Sequence, residues 1–259
     1  MLGKLFKKRS EPESGPMMLF ILLPDVKPLD HAPVLDALRR KYPTQRSAIS
    51  DVTPEQTFNV NLSGTDVMVA HMPAPIPTPE VAECTAISRF WERSPEETAH
   101  QSHAVLVSYG PQPPKVRAQA LNRVAAAVSL AGPTVGWYVG SASHVLSPTL
   151  ATELEDDDGE LGIVAWVNVI ATPDGPGRAS LSTIGMETFG HREFEIVGTT
   201  ADPGEWFTRL LDLANYVIEA GPVLKHGQTF GASADEKIGI EVGKSRLGKD
   251  GTVIRLAVP

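Results

Sequence analysis

The residues best suited to chemistry fall in four short stretches. His100 and His103 stand three apart just ahead of the apolar run Ala104-Val105-Leu106-Val107, and His71 lies near the end of another such run. Imidazoles titrate near neutral pH and ligate metals, so this spacing suits a shared metal if a helix brings both rings to one side and a carboxylate completes the set. The zinc-peptidase pattern is not met, because no Glu follows His100 and no second His stands four residues on. Polar tethering of a helix end to the next strand accounts for the pair without a metal, and neither metal nor cofactor is expected.

The second stretch, Gly140-Ser141-Ala142-Ser143-His144, sets hydroxyls beside an imidazole after a strand-like run. A serine nucleophile needs a base at hydrogen-bond distance, but sequence neighbours seldom aim their side chains as a triad does, and no Gly-x-Ser-x-Gly elbow is present. Ser143, His144, His100 and His103 are the catalytic candidates of a hydrolase reading.

The third stretch is Thr183 to Glu195. Gly185 and Gly190 permit positive backbone torsions, Met186 and Phe189 can pack between them, and Glu187, His191, Arg192 and Glu193 are then expected to face outward as a presented binding surface. Alternation places Glu193 and Glu195 on one strand face, a pattern shared by acid/base pairs and by solvent-facing strands. The fourth stretch, Gly243-Lys244-Ser245, lacks the upstream glycine of a phosphate loop. An acidic run from Glu153 to Glu160 lacks calcium-loop spacing and reads as a solvated loop.

These residues need elements to hold them. Met17 to Leu23 reads as a buried first strand, followed by a helix from Ala32 to Lys41 with Asp30 as its cap. Strands are expected at Phe58–Leu62, Val67–Met72 and Ala104–Tyr109, with a helix between the last two that starts at Thr78 and carries Val81, Cys84, Ile87, Ser88 and Trp91 on one face. Val116 to Leu130 reads as an alanine-rich helix that joins two halves of the chain, bracketed by Pro111–Pro114 and Gly132-Pro133, and a short strand, Val135–Val139, follows. An antiparallel meander is expected from Ile163 to Val197. Pro203 to Ala220 is the clearest amphipathic helix, and two strands joined through Gly248-Lys-Asp-Gly251, whose Asp-Gly suits a hairpin turn, end the chain.

The 259 residues, 42% hydrophobic and 21% charged, exclude a disordered chain or a disulfide-stapled miniprotein. A net charge of -8 disfavours nucleic acid, whose phosphates are met by Lys and Arg. Cys84, the one cysteine, allows no intrachain disulfide and suits a reducing, cytoplasmic setting. The apolar run from Met17 to Leu23 is too short to span a membrane, and the basic head from Met1 to Arg9 reads as a frayed terminus.

As a set, His71-Met-Pro-Ala-Pro-Ile-Pro77, the helix ending at Trp91, His100-Gln-Ser-His103, Thr183 to Glu195, and Val223-Leu-Lys-His-Gly-Gln-Thr229 resemble the bacterial family catalogued as domain of unknown function 4261. The likeness runs from about Leu19 to Ser233. It implies a cytoplasmic bacterial protein and brings no activity, cofactor or catalytic residue with it.

The expected fold is α+β: a flexible segment over 1–16, a ferredoxin-like half over 17–112, and a second α+β half over 113–259 with the meander. The expected function is non-enzymatic: binding a protein partner, as an accessory or immunity-like protein that masks a basic nuclease or nucleotide-handling toxin. A hydrolase is the alternative. Partner identity and oligomeric state are not specified by the sequence.

Overall fold

The computed structural model describes residues 15–54, 57–77, 79–155, 162–231 and 236–258. The basic head, Thr78 at the expected helix cap, and most of the acidic run lie outside them. The fold is α+β, built on two sheets.

The first sheet begins with β1 (Met17–Leu23), whose Leu19, Ile21 and Leu23 point into the main core. Helix α1 (His31–Lys41) follows; the Asp30 carboxylate accepts from the Ala32 amide at 3.0 Å, and Arg39, Arg40 and Lys41 complement the dipole at its C-terminal end. Strands β2 (Ser47–Ser50), β3 (Thr57–Leu62) and β4 (Thr65–Met72) form a meander whose tight turn takes Ser63 and Gly64 at positive φ. The expected long helix is only α2 (Glu80–Thr85), after which the chain runs on in turns; Val81, Cys84, Ser88 and Trp91 are nonetheless buried. Strand β5 (Ser102–Ser108) then pairs between β4 and β1.

Helix α3 (Pro114–Ala131) is not a bridge between two halves. It packs on α1 and across β1, β4 and β5, and its alanines at 118, 120, 125, 126 and 127 permit that close approach. β6 (Gly136–Val139) pairs antiparallel with β1, and β7 (His144–Leu146) with β6, giving the order β2-β3-β4-β5-β1-β6-β7. Helix α3 and strands β6 and β7, all from beyond residue 112, belong to this first sheet layer. The sheets therefore part between Leu146 and Asn168, not at 112. Pro113 caps a crossover helix and Pro114 opens its first turn, where proline's fixed φ is suited, so these prolines do not mark a linker.

Helix α4 (Pro148–Leu154) leads to the second sheet: β8 (Asn168–Pro173), β9 (Ala179–Ile184), β10 (Phe194–Thr199), β11 (Thr229–Phe230), β12 (Ile238–Lys244) and β13 (Thr252–Ala257). The order is β11-β12-β13-β10-β9-β8, with β10 and β13 parallel and the other neighbours antiparallel. Helix α5 (Pro203–Ala220) lays Trp206, Leu210, Ala214 and Val217 against this sheet. One continuous core joins both sheets, running from Leu19 and Trp137 to Trp166, Met186 and Phe194. Asn122 of α3 fastens the junction: its side chain accepts from the Trp166 indole at 2.9 Å and donates to the Gly162 carbonyl at 3.0 Å. Among the described residues no helix is long and apolar enough to cross a membrane.

Candidate functional site

The link from β9 to β10 is a corner set by two glycines. Gly185 has φ +114° and Gly190 φ +77°, and between them Met186–Phe189 make a short 3-10 turn with Met186 and Phe189 buried. Gly185 is also sterically required: an added Cβ would lie 1.9 Å from the Trp166 carbonyl oxygen and 3.3 Å from the Ala142 methyl. The corner therefore abuts the Gly140–Ala142 turn of the first sheet, and two of the four stretches singled out in the sequence meet here.

The expected outward face divides in two. Glu187 and Arg192 are exposed, and the Arg192 Nε donates to Thr252 Oγ1 at 3.0 Å, which fixes the side chain along the sheet. His191 is half-buried, and burial pulls its pKa down. Glu193 turns inward, correcting the expectation of an outward carboxylate: it accepts from Thr183 Oγ1 at 2.6 Å and from the Gly185 amide at 2.8 Å, while Thr183 Oγ1 accepts from the Phe194 amide at 2.7 Å. A corner that leaves its own N–H groups without chain partners needs such an acceptor.

Glu195 is fully buried and also serves the backbone. The seven residues between β12 and β13 wrap around it: Ser245 Oγ donates to one carboxylate oxygen and the Arg246 amide to the other at 3.1 Å, while Ser245 Oγ accepts from the amides of Leu247 and Lys249. The loop at Gly243-Lys244-Ser245 thus encloses a carboxylate of its own chain. It also extends the expected Gly248–Gly251 connection back to Ser245, since Lys244 pairs with Thr252. Arg255 balances the charge, with its Nη1 2.7 Å from Glu241 and its Nε 3.9 Å from Glu195. Lys249 donates to the Thr183 carbonyl; burial lowers its pKa against the pull of Glu193, Glu195 and Glu187. Glu193 and Glu195 are consequently two structural anchors, not a catalytic pair.

Ser143 and His144 part company. Ser143 takes φ +46° at the end of the 140–142 turn, and its hydroxyl interacts with the Cys84 thiol, whose pKa burial raises. Tyr138 in the same cluster donates to the Glu80 carboxylate. The His144 ring points the other way, fully buried against Phe90 with centroids 5.4 Å apart and its nitrogens near the Val164 and Ala165 backbone. Desolvation lowers its pKa to about 4, so it is neutral at pH 7. The two side chains form no nucleophile–base pair.

The other histidines hold the proline loop after β4. His100 Nε2 accepts from the Ile76 amide at 2.9 Å, its Nδ1 lies 2.8 Å from the Thr98 carbonyl oxygen, and His103 Nδ1 lies 2.8 Å from that of Ala74. His71 Nε2 is 3.2 Å from Ser102 Oγ. The rings of His100 and His103 are 6.5 Å apart and edge-on. Among the described residues no group of three or more His, Cys, Asp or Glu is gathered for a metal.

What the sequence reading missed is the space beside the corner. A cavity of about 590 Å³ opens between Pro16, Met17, Met18 and Phe20 on one side and Gly140, Ser141, Glu187, Thr188 and Gly190 on the other. Met17-Met-Leu-Phe-Ile-Leu-Leu23 reads as continuously apolar, which predicts burial on both faces. Met18, 45% exposed, shows that one face is partly open.

Residues 182–257 match the model of the family described as Domain of unknown function (DUF4261). The match takes in the corner, α5 and the Val223–Thr229 stretch but not the histidine-bearing loop of the first sheet, so it is shorter than the resemblance read from the motifs. No curated protein and no solved structure matches the chain.

Proposed function

We propose that this chain, with its DUF4261 segment over 182–257, acts by binding a protein partner through the corner at Gly185–Arg192 and the cavity beside it. The observation that carries this reading is the division of labour at the corner. Inward groups (Met186, Phe189 and the Glu193 carboxylate) fix the backbone, and Glu187 and Arg192 are left exposed on it. A rigid backbone presenting charged side chains loses little conformational entropy on binding. The net charge of -8 favours a basic partner by speeding encounter, as an accessory or immunity-like role in a bacterial cytoplasm would use.

The test is affinity capture from a lysate of the source organism with the natural chain and with a Glu187→Lys, Arg192→Glu variant matched in melting temperature. A protein retained by the first and lost by the second is expected. Identical retained sets would remove the corner from recognition.

A further inference from the structure

We infer that the cavity between Met18, Phe20 and Glu187 is a socket for one cationic side chain on an apolar stem, a Lys or Arg presented by the partner protein between apolar neighbours. This rests on the binding reading above and names the chemistry of that same site.

The walls supply both halves of the match. Met18 and Phe20 lie on the partly open face of the first sheet and offer thioether and ring surface, which suits a methylene stem. Of the described residues lining the cavity, Glu187 alone is charged, and its carboxylate is exposed at the corner. The backbone that carries it is fixed: the Gly190 amide donates to the Glu187 carbonyl at 2.9 Å, the Thr188 amide to the Gly185 carbonyl at 3.1 Å, and the His191 amide to that of Met186 at 3.1 Å. The cation at the back of the corner, Lys249, is held by the Thr183 carbonyl. The cavity of about 590 Å³ falls within the usual range for small-ligand pockets, ~300–1,000 Å³, and has room for one long side chain with its flanks. An anionic stem would meet Glu187 at close range, and a purely apolar one would leave that carboxylate facing hydrocarbon.

The test uses three probe peptides, acetyl-Ala-Leu-Lys-Leu-Ala-amide and the versions with Glu or Leu at the centre, titrated into the full chain while methionine methyl resonances are followed. The Lys peptide should shift the Met18 signal and bind about fivefold more tightly than the Glu peptide, with the preference shrinking at high salt. Glu187→Gln should erase the preference and Glu187→Lys should reverse it; the position is exposed, so folding is retained in both variants. Equal binding of the Lys and Glu peptides, a preference that survives Glu187→Gln, or no shift of Met18 with the Lys peptide would each overturn the inference. The outcomes separate from the previous reading: a Lys-selective socket with an unchanged set of captured proteins leaves the socket standing and removes recognition through the corner.

Discussion

The proline loop after β4 and the corner between β9 and β10 are both polar segments that looked equally able to do chemistry, and they spend their polar groups differently. On the loop, His100 and His103 each meet backbone atoms of the segments they join, and His71 meets Ser102. At the corner the backbone is satisfied by Glu193 from within, and Glu187 is left over. Buried backbone groups must be paired somewhere, so the side chains available to a partner are those that remain once that requirement is met. Residue type did not separate the two regions; the geometry of the chain around them did.

The sharpest way to break the comparison is to unmake the corner. Gly185→Ala sets a Cβ against the Trp166 carbonyl at a φ of +114°, where no small adjustment of a side chain relieves the contact. A loss of about 4 kcal/mol or more is expected from denaturant unfolding, since backbone clash adds to left-handed strain. A loss below about 1 kcal/mol would mean that the corner yields and is not a rigid frame.

Next in size is the acid response of His144. Its folded pKa of about 4 lies below the unfolded value near 6.5, so the unfolded chain binds more protons between those limits. The contribution is complete above about pH 6.5 and is lost as pH falls toward 4, amounting to roughly 3 kcal/mol at most. His71, His103 and His191, lowered by burial as well, act in the same direction. Unfolding midpoints across that range for the natural chain and for His144→Leu isolate the single ring. Parallel profiles would show that the core accepts a charged imidazole.

How much of this could be read beforehand follows from which physics is local. The cap at Asp30 and the amphipathic stripe of α5 are set by near neighbours, and both are legible in the sequence. The two glycines at 185 and 190 were likewise legible as positive-φ sites, because few other residues tolerate that backbone. The role of α3 was not, since proline brackets look alike around a linker and around a crossover helix, and only pairing of β6 with β1 distinguishes them. Glu193 and Glu195 fit an exposed strand face by alternation. Their capture by Thr183, Gly185 and the 245–251 loop depends on contacts that no spacing rule contains.

The corner and the loop can be weighed against each other through one backbone-binding side chain each, Glu193 and His100. Glu193→Ala removes the acceptor of a hydroxyl and of the Gly185 amide, and should cost about 1–3 kcal/mol. His100→Ala frees one amide and one carbonyl beside a half-exposed loop that water can reach, so about 1 kcal/mol is expected there. Both follow from denaturant midpoints at pH 7. Equal losses would make the corner no more tightly held than the loop.

The smallest expected effect carries the most information about function. Glu187 is exposed, and its backbone, not its carboxylate, takes part in the hydrogen bonds of the turn. Glu187→Gln should therefore change stability by no more than about 0.5 kcal/mol, while Glu193→Gln, six residues on, disturbs the charge-assisted bonds that hold the turn. The pair is informative because the same chemical change is made twice on one corner, once on a carboxylate hydrogen-bonded to the backbone and once on an exposed carboxylate that acts on Lys249 only through its charge. If both variants unfold at the midpoint of the natural chain, the inward clamp contributes nothing and the division proposed for the corner fails. If both are destabilised alike, Glu187 is part of the scaffold and its exposure has been misread as availability. A loss confined to Glu193→Gln leaves Glu187 as a side chain that folding does not require, and any change it then makes in binding reports on recognition alone.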